Sequence, residues 1–126
     1  MTIKLDHVVI YAHDHNKSAK QFANVMNLSL GRMTGSDYDF TIVRINHELA
    51  LYFMDRENIN LQQHFAFTVN GKDFDNILKQ LKKKNIAFGN SPYHTTNEST
   101  DHDFAPRGLF WTNLDECLFE VMTGDF

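Results

Sequence analysis

Residues 6–11 read DHVVIY and residues 63–69 read QHFAFTV, so two strand-like segments each carry a histidine, His7 or His64, in second position. A helical pattern follows each segment, with apolar residues spaced i, i+3, i+4 and i+7. These apolar positions are Ala19, Phe22, Ala23 and Met26 in the first helix and Phe74, Ile77, Leu78 and Leu81 in the second. The sequence therefore predicts two copies of one module, each beginning with a strand histidine.

Each copy also ends in a similar strand, ALYFM at residues 50–54 and LFEVM at residues 118–122. Aligning the two methionines places Glu120 opposite Tyr52. Two histidines and one carboxylate then occupy repeat-related strand positions, which is how a metal site would be built across a pseudo-twofold axis.

The predicted fold class is α+β, with two βαβββ modules that form an incompletely closed, eight-stranded mixed sheet. The modules cover about residues 1–55 and 63–126, and we expect them to form a single domain over residues 1–126. Strands are predicted near residues 3–11, 29–34, 39–45, 48–54, 64–69, 86–88, 108–113 and 117–122, and helices near 15–27 and 71–84, with boundaries uncertain by about 2–4 residues.

Composition restricts the partners and the compartment. The net charge is −4 and no basic stripe interleaves with aromatic residues, so we do not expect nucleic acid as a partner. The single cysteine, Cys117, excludes an internal disulfide and suits a reducing compartment. Because no apolar run is long enough for a signal sequence or a membrane span, we expect a cytoplasmic protein with no membrane partner.

Strand alternation predicts which side chains meet. If the helices cover one face of the sheet, that face takes the apolar set Val8, Ile10, Leu51, Phe53, Phe65, Phe67, Val69, Phe119 and Val121. The side chains of His7, His64, Tyr52 and Glu120 then point to the opposite, concave face. Alternation alone therefore predicts that these four side chains converge.

The paired modules and three motifs resemble the vicinal oxygen chelate superfamily; the motifs are LDHVVI at residues 5–10, HFAF at 64–67 and LFEVMT at 118–123. That superfamily includes glyoxalase I, fosfomycin resistance proteins, methylmalonyl-CoA epimerase, extradiol dioxygenases and bleomycin resistance proteins. The resemblance covers essentially the whole chain and implies a glyoxalase-like fold. It also implies that His7, His64 and Glu120 match the metal ligands of the superfamily, and that the cavity of the rolled sheet holds the substrate.

One departure from the superfamily pattern concerns Tyr52. Members with a fourth protein ligand carry Glu, Gln or Asp at this repeat position, so the resemblance favours three ligands here. A second departure is the turn at residues 113–117, which reads NLDEC in place of the usual Asp-Pro-Asp/Asn-Gly-His. We expect this change to affect the hairpin more than the chemistry.

Two imidazoles and one carboxylate suit a divalent metal cofactor: Fe(II), Mn(II), Zn(II), Ni(II) or Co(II). Such a site keeps open positions and could chelate two adjacent oxygens of a substrate while stabilising an enolate or oxyanion. Glu120 and Tyr52 are the candidate catalytic residues. Tyr52 could donate a proton or a hydrogen bond, or only form part of the cavity wall.

Substrate-binding candidates are Tyr52, His102, Arg107 and Trp111. His102 and Arg107 lie on or near a long polar segment between residues 89 and 107, and loops of this length are often functional or mobile. Both could bind an anionic group of a substrate. The alternatives are a solvated His102 and an Arg107 that forms a structural ion pair.

Three classes of function remain open. The favoured class is a small metal-dependent enzyme of the glyoxalase or dioxygenase type that acts on a small oxygenated metabolite. The second is a metal-free protein of the bleomycin-resistance type that sequesters a ligand, although such a protein has no need of a His-His-Glu set. The third is a fosfomycin-type thiol transferase, whose cationic pocket could draw only on Arg44 and Arg107. In each class we expect a homodimer, because a single pair of modules leaves sheet edges open.

Overall fold

The computed structural model describes residues 3–124, which divide into two compact units between Leu61 and Gln62. We call them unit one and unit two. The elements of unit one are β1 (His7–Ala12), α1 (His15–Met26), β2 (Leu30–Thr34), β3 (Asp39–Arg44) and β4 (Ala50–Asp55). Those of unit two are β5 (His64–Val69), α2 (Gly71–Lys83), β6 (Gly108–Thr112) and β7 (Leu118–Thr123).

Unit one is a four-stranded mixed sheet in the order β1-β4-β3-β2, with α1 packed on one face. β1 runs parallel to β4, and the other two pairs are antiparallel. The side chain of Asp14 accepts a hydrogen bond from the backbone N–H of Lys17 and begins α1, which ends at Asn27 in a left-handed conformation (φ 59°). Phe22 of α1 and Phe53 of β4 lie in the fully buried core of this unit.

Unit two is a three-stranded mixed sheet in the order β5-β7-β6. β5 runs parallel to β7, β6 runs antiparallel to it, and α2 packs against β7. The side chain of Asn70 accepts a hydrogen bond from the backbone N–H of Asp73 at 2.8 Å and begins α2. The core contains the apolar face of α2 and the facing strand residues, namely Phe74, Ile77, Leu81, Leu109, Trp111, Phe119 and Val121.

The α+β class and the paired modules agree with the prediction, but the strand count differs. The described residues form seven strands in two sheets of four and three, because residues 86–88 do not form a strand. Asn85 has φ 55° and turns the chain at the end of α2, and only Gly89 then pairs with Phe110, through two backbone hydrogen bonds of 3.0 and 2.8 Å. The segment is too short to build a strand against β6 after that turn.

The segment between α2 and β6 makes hydrogen bonds of its own. The side-chain amide of Asn90 donates to the backbone carbonyl of Asp101, and the amide of Asn97 donates to the Asn90 side chain at 2.7 Å. The backbone N–H of Gly108 donates to the carbonyl of Thr100 at 3.1 Å and ties the end of the segment to β6. We call residues 84–107 the long loop. Its backbone hydrogen bonds to Gly108 and Phe110 of β6 hold it against the sheet of unit two.

Neither helix in the described part of the chain is long and apolar enough to cross a membrane.

Candidate functional site

The centre of the candidate site is Glu120, in the middle of β7. The strand register places Ala66 of β5 on one side of it and Phe110 of β6 on the other. Its neighbours in sequence, Phe119 and Val121, point into the buried core, so Glu120 points to the opposite face. Its carboxylate is nevertheless buried, with 8% of the side chain exposed, and a buried carboxylate requires polar partners.

His64 supplies the first partner. It begins β5 on the same face as Glu120, and its Nε2 lies 3.1 Å from Oε1 of Glu120. Nearly half of the imidazole is exposed (46% of the side chain), whereas the carboxylate is covered. The pair therefore places a half-exposed imidazole beside a covered carboxylate oxygen.

His102, in the long loop, supplies the second partner. Its Nε2 lies 2.6 Å from Oε2 of Glu120, and only 2% of its side chain is exposed. The ring stacks on Phe110 with the two planes 7° apart, and the edge of Phe104 meets it at a centroid distance of 4.4 Å. Both oxygens of Glu120 thus have an imidazole partner in unit two.

In unit one, His7 and Tyr52 lie together. Their rings stack with centroids 4.2 Å apart and planes 17° apart. The rings of Tyr52 and Phe40 are 5.3 Å apart, those of Phe40 and Tyr38 are 5.9 Å apart, and Nδ1 of His7 lies 2.8 Å from a carboxylate oxygen of Asp6. A row of aromatic rings ending in an imidazole can contact a flat ligand, and the Tyr52 hydroxyl can donate a hydrogen bond.

The geometry of unit two fits a divalent cation at the His64–Glu120 pair. Two ligand atoms at about 2.0–2.2 Å from one ion, in adjacent octahedral or tetrahedral positions, are separated by about 2.8–3.6 Å. The 3.1 Å between Nε2 of His64 and Oε1 of Glu120 lies within that range. Among residues 3–124 no group of three or more His, Cys, Asp or Glu side chains forms a complete metal cluster, and His7 belongs to unit one.

The side chain of Arg107 contacts residues of α2. Its guanidinium donates to Asp75 at 2.8 Å and to the carbonyl of Gly71 at 3.3 Å, and it lies 4.5 Å over the ring of Phe74. These contacts are those of the structural ion pair that the sequence offered as the alternative to substrate binding.

Trp111 is fully buried and lies across from Phe119 on the core face of the sheet. The aromatic residue of β6 on the same face as Glu120 is Phe110, its direct neighbour in the register. The sequence prediction named Trp111 and missed Phe110. Alternation between β6 and β7 could have identified Phe110, but only with the register known.

Two further groups lie outside the predicted site. Burial, together with the nearby charge of Asp115, raises the pKa of the Cys117 thiol to about 12, so the thiol is a poor nucleophile at neutral pH. In unit one, the buried His15 lies 3.3 Å from Asp39, to which Arg32 donates at 2.7 Å. Desolvation opposes ionisation of Asp39, but the hydrogen bonds from Arg32 and His15 lower its pKa below the ordinary value.

Comparisons with known proteins agree with this architecture. The family model of the Glyoxalase/Bleomycin resistance protein/Dioxygenase superfamily matches residues 4–112, a range that includes His7 and His64 and ends before Glu120. Comparison with curated proteins gives no match.

Several solved structures are similar to this chain over nearly its whole length. The structure of oxidase ChaP-H2 is 28% identical, with a TM-score of 0.87 over 100% of this chain and 97% of that one. Oxidase ChaP-H1 is 26% identical, with a TM-score of 0.86 and 98% of both chains covered. A mutant of the fosfomycin resistance protein FosX from Listeria monocytogenes, complexed with Mn(II) and 1S,2S-dihydroxypropylphosphonic acid, shares the fold at 17% identity. Its TM-score is 0.73 over 100% of this chain and 96% of that one.

Proposed function

Because the chain belongs to the Glyoxalase/Bleomycin resistance protein/Dioxygenase superfamily, we propose that it is a small metal-dependent enzyme of the glyoxalase or dioxygenase type. Its substrate is a small oxygenated metabolite with two adjacent oxygens, and the reaction is lyase, isomerase or oxygenase chemistry. The observation that carries the proposal is the His64–Glu120 pair, whose facing atoms are 3.1 Å apart on the helix-free face of the unit-two sheet. The likeness to two oxidases supports an enzyme.

His64, Glu120 and His7 are the proposed ligands of the metal. Nε2 of His64 and Oε1 of Glu120 would hold a divalent cation in place of the proton that they share in its absence. His7 is proposed as the third ligand on the sequence motif at residues 5–10. When bound, the cation supplies Lewis acidity to the oxygens of the substrate.

Tyr52 has a different proposed role. A neutral phenol is a poor metal ligand but a competent hydrogen-bond donor. Stacking against His7 fixes the plane of the Tyr52 ring, so its hydroxyl can donate to an oxygen of the substrate on which negative charge develops. Phe40 packs on the other side of this ring, at 5.3 Å, and restricts its movement.

A ligand-sequestering protein without a metal is the second candidate. The aromatic row of Tyr38, Phe40 and Tyr52 favours it, because such a row can bind a planar ligand by stacking. A fosfomycin-type thiol transferase has less support, since Arg107 is held by Asp75 and Arg44 donates to the backbone carbonyl of Asn46.

The deciding experiment is metal analysis of protein purified without chelators or a His-tag, followed by thermal unfolding against a panel of Mn(II), Fe(II), Co(II), Ni(II) and Zn(II). The proposal predicts about one ion per chain and a midpoint raised by the preferred metal, since a ligand that binds only the folded state stabilises it. Protein that takes up none of the five metals would contradict the enzyme and favour the sequestering protein. Light scattering in the same samples tests the proposed homodimer.

A further inference from the structure

The long loop places one imidazole, that of His102, against the carboxylate of Glu120. The distance of 2.6 Å between Nε2 and Oε2 is at the short end for an N–H donor and a carboxylate. Both groups are almost entirely covered, with 2% and 8% of their side chains exposed. Water therefore competes little for this hydrogen bond.

The other nitrogen of His102 fixes which tautomer is present. Nδ1 lies 3.2 Å from the backbone nitrogens of Phe104 and Ala105, and backbone N–H groups can only donate. Nδ1 is therefore the acceptor of both bonds, and the ring proton is on Nε2, directed at Glu120. The loop backbone thus sets His102 as a donor to the carboxylate.

The ring of His102 also packs closely against two residues of β6. It stacks on Phe110 at a centroid distance of 5.7 Å, and it covers Gly108 so closely that a Cβ there would lie 2.4 Å from Cδ2 of the imidazole. Only glycine leaves room for the ring at this position. Three independent features, namely the stack, the glycine and the two backbone donors, therefore hold one orientation of His102.

We infer that His102 is a positioning residue: it engages Oε2 of Glu120 and so leaves Oε1 alone to face His64 and a metal ion. The inference rests on the proposed role of Glu120 as a ligand. A carboxylate released from His102 can rotate about its last bond, and it can then bind through both oxygens or turn away from His64. Partners of this kind typically contribute 10–100-fold to metal affinity.

The test compares variants that separate the hydrogen bond from the packing. His102→Phe keeps an aromatic ring to stack on Phe110 but removes the donor. His102→Gln keeps an N–H donor near the position of Nε2. His94→Phe makes the same chemical change at an exposed histidine of the same loop and serves as the matched control.

The first measurement is the affinity for Mn(II), determined by electron paramagnetic resonance. Thermal unfolding checks that each variant is folded. We expect His102→Phe to bind Mn(II) about 10–100-fold more weakly, and His102→Gln and His94→Phe to stay within about 3-fold of the wild type. Equal Mn(II) affinity in the folded His102→Phe variant would overturn the inference.

The second measurement needs no metal and separates the two proposals. Nitrogen-15 NMR of the histidine rings in metal-free protein should show His102 as the Nε2–H tautomer, and the signal of its ring proton should change on Glu120→Gln. A wild-type protein with this signature that binds no Mn(II), Fe(II), Co(II), Ni(II) or Zn(II) would overturn the proposed function while leaving the hydrogen bond established. The Nδ1–H tautomer would overturn the positioning role, whatever the metal affinity.

Discussion

The two units carry repeat-related residues in the same register but in different chemical surroundings. Val9, two positions after His7, lies across from Tyr52. Ala66, two positions after His64, lies across from Glu120. The same backbone position thus carries a phenol in unit one and a buried carboxylate in unit two. His7 stacks on its repeat partner at 4.2 Å, whereas His64 shares a hydrogen bond with its own at 3.1 Å.

This difference shows that the position of a side chain and its chemistry are determined by different features of the sequence. The duplicated strand pairing fixes where each histidine and its neighbour lie. The residue type at the repeat position then decides whether the pair offers a stacked ring or an anionic ligand. Unit two therefore carries a negative charge at the repeat position, whereas unit one carries a hydrogen-bond donor there.

The largest effect is expected from Glu120→Gln, which makes the repeat position neutral in both units. An amide is a much weaker ligand than a carboxylate for these cations, so Zn(II) affinity should fall by more than about 100-fold. Competition with a chelating dye measures it. Glu98→Gln, at an exposed glutamate of unit two, is the control and should leave the affinity unchanged. If Glu120→Gln kept the wild-type affinity for Zn(II), the carboxylate would not be a ligand, and the proposed chemical difference between the units would be wrong.

A second contrast lies between two strand glycines, Gly31 of β2 and Gly108 of β6. A Cβ at Gly31 would meet Ile42 at an ordinary 3.9 Å, whereas one at Gly108 would clash with the ring of His102. Gly108→Ala should therefore lower the free energy of unfolding by about 1–3 kcal/mol. Gly31→Ala should leave it within about 1 kcal/mol of the wild-type value. Denaturant unfolding of both variants measures the difference, and equal stabilities would mean that His102 does not need the space above Gly108.

The sequence predicted much of this arrangement because alternation and the repeat are local signals. They predicted that His64 and Glu120 share one face of the sheet, and likewise His7 and Tyr52. The partnership of His102 with Glu120 was missed, since the contact depends on the path of a polar loop that has no periodicity. The strand expected at residues 86–88 is absent for a related reason: the turn at Asn85 and the hydrogen bonds of the loop override a short apolar segment.

A smaller effect on metal binding, with a clear effect on turnover, is expected from Tyr52→Phe. The stack on His7 survives and only the hydroxyl is lost, so metal content should stay near the wild-type level. Loss of a hydrogen bond to developing charge should lower kcat by roughly 10-fold or more. His64→Ala, the repeat-related comparison, should abolish metal occupancy. If Tyr52→Phe releases metal as readily as His64→Ala, the phenol is itself a ligand.

The smallest effect is expected at Arg107, which packs on α2 of unit two. Its ion pair with Asp75 is partly exposed, and such pairs contribute about 0–1 kcal/mol. A double-mutant cycle of Arg107→Gln and Asp75→Asn, measured by thermal unfolding, should give a coupling free energy of this size. The coupling should weaken with added salt. A lower affinity for a substrate in Arg107→Gln, without any change in stability, would instead support the substrate-binding role predicted from the sequence.

The most direct test of the central claim is a crystal structure of the protein with Zn(II), with the ion located by its anomalous scattering. We expect one ion per chain, with Nε2 of His64, a single oxygen of Glu120 and a ring nitrogen of His7 as ligands at about 2.0–2.2 Å. An ion bound elsewhere, or a pair of these ligand atoms more than about 5 Å apart, would contradict it.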